Sequence, residues 1–329
     1  MKPPLPTLPF GPLGNWHAAS LASITAILLK LLLTLLLALL LALLLGLGVG
    51  LVWTNSVYAH GDTASPGDIG TGHAEAIYIA NEGVMVAAGE TKILFDPLFH
   101  NAYGQYRLPS EEMRAAMMAG SPPFDNVDVV FISHAHSDHF DAQDINTYLA
   151  THQTAALVAP AQAVAMMRLA DNWVDAHAAR ISDTLLDFGD PAIEIKAGGI
   201  SITAVRIPHA GWPGRADIHN LVYRVTLPEG ATVIHMGDAD PRDDHYAPYE
   251  ETWSTRSADM GFPPYWFLGR QESEAILYDR LRMKKAVGVH VPVGVPISLQ
   301  ELKKQGKADY FALPGDARII EISTESDGK

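Results

Sequence analysis

The chain of 329 residues contains no cysteine. Disulfides, thiolate zinc sites, cysteine nucleophiles and lipidation at a cysteine are thereby excluded together. The absence says little about compartment, because a domain of this size needs no covalent staples. Basic residues are also scarce. Lys and Arg total 23 against 37 Asp and Glu, a formal net charge of −14. The first acidic residue is Asp62, and only Lys2 and Lys30 precede it, so residues 62–329 carry 21 basic against 37 acidic groups, a net of −16. A surface this acidic repels phosphate backbones and argues against nucleic acid as a partner. No Gly-rich phosphate loop, internal repeat or Ser-His-Asp order stands out. The sequence "GLGVG" at 46–50 lies inside an apolar run.

That run, Leu31 to Trp53, has no charge and one hydroxyl in 23 residues. A helix of this length, at about 1.5 Å per residue, spans a ~30 Å hydrocarbon core, and a buried helix of a water-soluble domain would show a polar face. Residues 1–59 therefore read as a leader with a helix over about 31–53. It is either a membrane anchor or an export signal cleaved after Val57-Tyr58-Ala59. Its length favours the anchor, and the small-residue site at Ala59 favours cleavage. Either way the remainder is expected outside the cytoplasmic membrane, as an anchored or secreted protein facing the periplasm or cell exterior. Residues 60–73 ("HGDTASPGDIGTGH") read as a linker, and residues 74–329 as one domain.

Within that domain Ala76–Ala80, Val84–Ala88 and Lys92–Asp96 are short apolar runs punctuated by Asn-Glu-Gly and Gly, the pattern of a β-meander. Asp128–Ser133 reads as a strand buried in a sheet. Gln143–Thr151 and Ala161–Leu169 have helical composition, with a strand at Ala156–Ala159 between them. A second group of strands follows at Ile193–Lys196, Ile200–Ile207, Leu221–Leu227 and Ala231–Met236. A helix over Glu272–Arg282, a strand at Ala286–His290, a helix over Ser298–Lys304 and a strand near Arg318–Ile322 complete the reading. Two groups of strands, each followed by helices, predict an α+β fold of two packed sheets with helices outside.

Directly after the buried strand comes "FISHAHSDHF", in which His134, His136, Asp138 and His139 fall within six positions. His134 and His136 stand two apart on an extended segment, so their side chains point the same way and can grip one cation. Asp138 and His139 come where the chain should turn, and can point to a second position. Imidazole and carboxylate suit zinc, iron or manganese. Four ligands cannot complete two sites. Three more candidates end apolar strands within two residues of Gly or Pro: His209 in "IPHAG", Asp238 in "HMGDAD" and His290 in "VGVHVP". A consistent distribution gives His134, His136 and His209 to one ion and Asp138, His139 and His290 to the other, with Asp238 between them. Two divalent ions, zinc first and manganese or iron as alternatives, would share a water and lower its pKa.

The loop HxHxDH after a buried strand, followed by a His, a Gly-Asp and a last His, resembles the metallo-β-lactamase fold superfamily over roughly Ala74 to Ile322. The opening "YIANEGVMVAAGETKILFDPLF" is similar to the branch of ascorbate-phosphate lactonase-like and N-acyl-phosphatidylethanolamine phospholipase D-like proteins, where a strand also ends in Asp-Pro, here Asp96-Pro97. The resemblance implies an αββα sandwich with metals at one rim. Many relatives carry Pro-Ile-Gly after the Gly-Asp strand, whereas this chain has "GFPPYWFLG" at 261–269, so substrate does not carry over. Asp238 and the lack of cysteine point away from antibiotic hydrolysis.

The expected activity is hydrolysis of an ester, lactone or phosphodiester by a metal-bound hydroxide, with Asp138 orienting the nucleophile while ligating. The expected partner is a small-molecule or lipid-derived substrate, with the membrane met through the N-terminal segment. Alternatives are a non-catalytic metal-binding envelope protein, or a di-iron redox protein, against which His136 argues. His219, in "DIHNLVYRV", could orient substrate or protonate a leaving group, or be an ordinary rim histidine. His235 is expected to pack behind the ligands, and Asp96 to cap the loop from below as a hydrogen-bond acceptor. Asp240 is a weaker candidate for the bridge than Asp238. Trp212, Tyr265 and Trp266 read as core before pocket wall, and His152, His177 and Arg270 as surface residues.

Overall fold

A computed structural model describes residues 73–323, together with Lys30. The leader apart from Lys30, its expected helix over about 31–53 and most of the linker lie outside the described residues. Among the described residues no helix is long and apolar enough to cross a membrane.

The meander forms as β1 (His73–Ala80), β2 (Gly83–Ala88) and β3 (Thr91–Phe95). β3 then pairs in parallel with β4 (Val129–Phe131), followed by β5 (Ala156–Pro160) and β6 (Ile181–Thr184). The last strand, β12 (Ala317–Glu321), returns to pair antiparallel with β1, giving a seven-stranded sheet in the order β12-β1-β2-β3-β4-β5-β6. The second sheet is built from β7 (Ile193–Ala197), β8 (Ile200–Arg206), β9 (Leu221–Thr226), β10 (Thr232–His235) and β11 (Met260–Phe262), in the order β11-β10-β9-β8-β7.

Alternation along each strand decides which layer a residue joins. In the first sheet Ile93, Phe95, Val129 and Phe131 face the second sheet, where they meet Ile202, Tyr223, Val225 and Val233. Their neighbours Leu94, Val130 and Ile132 face outward. There they pack under α1 (Glu111–Ala119), α2 (Ala142–Thr151) and α3 (Ala161–Leu169) through Met117, Ile145, Leu149, Val164 and Met167. Val205, Val222 and Ile234 cover the outer face of the second sheet against Trp253 of α4 (Glu250–Ser254), Phe267 and Leu277. Both faces of the central strands are covered, so "DVVFIS" reads as an unbroken apolar run. Each such fully buried side chain contributes ~1.5–3 kcal/mol. The layers are the αββα sandwich that the strand grouping predicts.

Three local expectations change. Ala286–His290 makes only isolated bridges, Gly261 to Ala286, Pro264 to Val289 and Gly288 to Tyr310, rather than a strand, and His290 leaves it with a left-handed backbone, φ +57°. The helix expected over Glu272–Arg282 is α5 (Gln271–Ala275) running into a π-helical turn at Ile276–Arg280. Ser298–Lys304 belongs to α6 (Ile297–Lys304) as expected. His177, read as a surface residue, is buried edge-on to Trp173.

Candidate metal centre

The centre lies where the first sheet's β4 and the second sheet's β8 and β10 end side by side. After β4 the chain turns tightly. His139 and Phe140 both donate their backbone N–H to the carbonyl of His136, at 3.1 and 3.0 Å. That turn brings Asp138 and His139 back beside His134. Asp141 then caps α2 by accepting from the Asp144 N–H.

The loops after β8 and β10 are held together by backbone bonds. Ala210 N donates to Asp238 O at 2.7 Å and Asp240 N to Pro208 O at 2.8 Å. Two loops some 30 residues apart in sequence thus present His209 and Asp238 in register. Gly237 makes the approach between them possible. Its φ is +53°, and a Cβ there would stand 2.4 Å from Asn220 Oδ1 and 2.6 Å from Ser133 Cβ. Asn220 accepts from the Asp238 N–H at 3.0 Å and so fixes the carboxylate's backbone.

The ligand atoms fall into two sets. His134, His136, His209 and Asp238 form one and Asp138, His139 and His290 the other, with the donor atoms of each set within 4.8 Å of one another. Asp238 divides its two oxygens between them. Oδ2 stands 3.1 Å from His209 Nε2 and 4.0 Å from His134 Nε2. Oδ1 stands 3.4 Å from His139 Nε2 and 3.2 Å from His290 Nε2. All seven residues are buried except His136, which is half-buried and faces outward.

Two of the outer ring nitrogens are fixed by hydrogen bonds to protein oxygens. His209 Nδ1 donates to the carbonyl of Ala210 at 2.7 Å, and His139 Nδ1 to Asp96 Oδ2 at 2.9 Å. Each bond sets the tautomer and leaves Nε2 toward the centre. His139 Nε2, His209 Nε2, His290 Nε2 and Asp238 Oδ1 are buried without any hydrogen-bond partner. Orphaned nitrogens and a carboxylate oxygen facing two neighbouring points fit cations better than any neutral packing would.

Electrostatics in the metal-free chain agree. Burial, reinforced by the charge on His139, pushes the His134 imidazole well below its ordinary range. Burial and then His209 lower His136 to about 4. Burial would also lower His139 and His290, but Asp238 outweighs it, aided by the Asp96 hydrogen bond at His139. His139 is held up at about 9, and His290 is raised well above its usual value. Protons on these two rings stand where cations would.

Asp96 behaves as the sequence predicts. It accepts from Ser133 N at 2.7 Å, from Ser133 Oγ at 2.5 Å and from His139 Nδ1. Its own backbone is left-handed, φ +39°, a conformation that costs a non-glycine residue on the order of 1 kcal/mol. Asp96→Ala is expected to lower stability by roughly 3 kcal/mol and metal affinity by roughly 10–100-fold. Denaturant melts and a metal-competition titration check both effects.

His235 packs behind the ligands as expected. It stacks on Phe95 and donates Nε2–H to the carbonyl of Glu82 at 2.9 Å. Asp240 pairs with Arg242 and His245 instead of bridging.

His219 is not brought to the centre. It belongs to neither ligand set and does not line the cleft. Its backbone N–H donates to Gln162, and burial and the nearby Arg206 lower its imidazole pKa. The open side of the centre is a cleft of about 610 Å³, lined by Tyr103, Gln105, Tyr106, Arg215, Asp217 and Ile218 with His136, Asp138, Asp238 and His290. Tyr103 and Tyr106, from the long loop after β3, were not visible as site residues in the sequence. Trp266 instead donates Nε1–H to Ala239 O and meets His290 edge-on, while Trp212 packs on Phe188.

A sandwich of two sheets with seven His and Asp side chains at one rim that could hold metal is the arrangement of metal-centred αββα proteins. The chain belongs to the β-lactamase superfamily: the profile of the family described as "Beta-lactamase superfamily domain" matches residues 78–251. That stretch holds six of the seven side chains, and His290 lies beyond it. A possible metal-dependent hydrolase from Veillonella parvula has a similar structure over 74% of this chain and 98% of its own, at 12% identity and a TM-score of 0.51. The metallo-β-lactamase fold protein YhfI from Bacillus subtilis is similar over 75% and 99%, at 13% identity and 0.49. Igni18, a metallo hydrolase from Ignicoccus hospitalis, is similar over 76% and 100%, at 17% identity and 0.48. At 12% identity the likeness to the Veillonella parvula protein is one of fold alone. No curated protein sequence matches the chain.

Proposed function

We propose that this chain is a metal-dependent hydrolase of ester-type bonds, acting on an ester, a lactone or a phosphodiester. The observation that carries the reading is the split of Asp238, one oxygen toward His209 and the other toward His139 and His290. His134, His136 and His209 would hold one divalent ion and Asp138, His139 and His290 a second, with Asp238 shared. Zinc suits the imidazole-rich set, with manganese or iron as alternatives. Such a pair, when bound, acts as a Lewis acid and lowers the pKa of water.

The chain's own residues do the positioning. Asp138 lines the cleft and is anchored by Asn81 Nδ2, which donates to its carbonyl at 3.0 Å and to its Oδ2 at 3.3 Å. It is placed to orient an attacking water. Tyr103, Tyr106 and Arg215 line the same cleft and offer hydroxyls and a guanidinium to the polar part of a substrate. Leaving-group protonation is not assigned to His219, which stays out of the cleft. The apolar stretch Leu31–Trp53 supports an exported or anchored location and so a lipid-derived or envelope substrate. The similarity of the opening strands supports the lactonase-like and phospholipase-like branch.

The test is metal analysis of the purified full chain joined to a panel of esters, lactones and phosphodiesters, with and without chelator. Two ions per chain are expected, with turnover that chelator removes and added metal restores. Bound metal with no metal-dependent turnover on any of the panel would favour a binding protein instead. Two irons with oxygen consumption would favour redox chemistry.

A further inference from the structure

The turn joining β1 and β2 is Asn81-Glu82. Hairpin turns normally face water, yet both residues are fully buried beneath the centre. Asn81, with φ +49°, accepts from His290 N at 2.8 Å and donates to Asp138. The turn therefore supports two of the seven ligand residues from one side. Glu82 is less easily explained. Neither carboxylate oxygen has a hydrogen-bond partner. His235 spends its Nε2–H on the backbone carbonyl of Glu82 and leaves the carboxylate Oε2 at 3.7 Å. Among the described residues that imidazole is its one ion-pair contact. Yet its carboxylate stands within 4.8 Å of ligand atoms of both His139 and Asp238, on the closed side, since Glu82 does not line the cleft.

A buried carboxylate with no donor costs several kcal/mol unless a proton neutralises it or a cation compensates it. The charge count explains which cation. Asp96, Asp138, Asp238 and Glu82 are the buried carboxylates around the centre. With neutral imidazoles they carry four negative charges, which two divalent ions match. Without Glu82 the same cluster would hold only three.

We propose that Glu82 is an eighth, unassigned member of the centre, supplying negative charge to the second cation position from the side away from the cleft. The proposal rests on the two-ion reading above. Glu82 touches no substrate. Its role is to retain the ion held by Asp138, His139 and His290, leaving the ion at His134, His136 and His209 largely unaffected.

The experiment is a zinc titration of the full chain against a chromophoric chelator, wild type beside Glu82→Gln, which keeps the shape and removes the charge. Wild type is expected to bind two equivalents. E82Q should keep one at wild-type affinity and weaken the other by roughly 10–100-fold. The chelated variant should melt within a few degrees of chelated wild type. A purely structural Glu82 would instead lower that melting temperature and leave both affinities alone, and this result overturns the proposal. Should E82Q not fold, Glu82→Met, uncharged and of similar length, takes its place with the same two readings. Two equivalents bound equally well by wild type and variant overturn the proposal alone. One equivalent or none in the wild type overturns the two-ion reading and this proposal with it.

Discussion

His136→Ala is expected to remove hydrolysis by roughly a thousandfold or more in kcat/KM while leaving the protein folded. His136 is the outermost of the seven, half-buried and lining the cleft. Its Nδ1 stands 3.0 Å from His134 Nε2, so the two rings present converging nitrogens to one point. Deleting one ligand opens that set while the buried framework under it stays. Asp96 still holds His139 and Ser133, and the backbone bonds between the His209 and Asp238 loops do not involve His136. The melting temperature of the chelated variant should therefore lie within a few degrees of chelated wild type, because a half-exposed side chain takes little packing with it. Asp238→Ala provides the contrast. It removes the one group facing both sets, so it should cost both ions as well as activity. Steady-state kinetics on the best substrate from the panel, with circular dichroism melts, read both effects. An H136A protein with activity within tenfold of wild type would remove His136 from the working centre.

The residues that were legible in the sequence share a physical signature. His134, His136, Asp138 and His139 were visible because ligating groups crowd a loop that follows a strand buried on both faces. His209 and Asp238 were visible because each closes an apolar run, and strand ends of two packed sheets meet at a rim. His290 was found by the same reasoning, although the segment it ends makes only isolated bridges. Glu82 and Asn81 were hidden because Asn-Glu-Gly is an ordinary turn sequence. One available signal was the absence of polar alternation on either side: every residue of β2 is buried, so a hairpin tip between such strands had nowhere wet to go. Tyr103 and Tyr106 were hidden because the loop after β3 has no period to read. His219 misled for the opposite reason. It precedes a strand, as the rim residues follow theirs, and in the structure it does not line the cleft; only its backbone N–H meets Gln162, and Arg206 lies near its imidazole.

Removing the metal is expected to lower the melting temperature by roughly 15–30 °C. Each ion at a thousandfold its dissociation constant stabilises the folded chain by about 4 kcal/mol, so two add about 8. In a domain of this size each kcal/mol moves the midpoint by roughly 2–4 °C. The metal-free protein offers the Nε2 atoms of His139, His209 and His290 only carboxylate oxygens, those of Asp238 at 3.1–3.4 Å, in place of a metal bond. The gap should also depend on pH in a definite direction. Asp238 and Asp96 hold His139 at about 9 against the opposing effect of burial. A raised folded pKa contributes stability that is fully present below the unfolded value, about 6.5, and is lost as pH rises through 9. The chelated protein should therefore weaken across that window. The loaded protein should not, because an ion that displaces the His139 proton binds more tightly as that proton becomes easier to remove. The difference between the two melting temperatures should widen from pH 6.5 to 9. Scanning calorimetry with and without chelator at several pH values measures it. A gap of only a few degrees, or one that narrows with rising pH, would mean that the buried imidazoles are satisfied by protons and carboxylates alone.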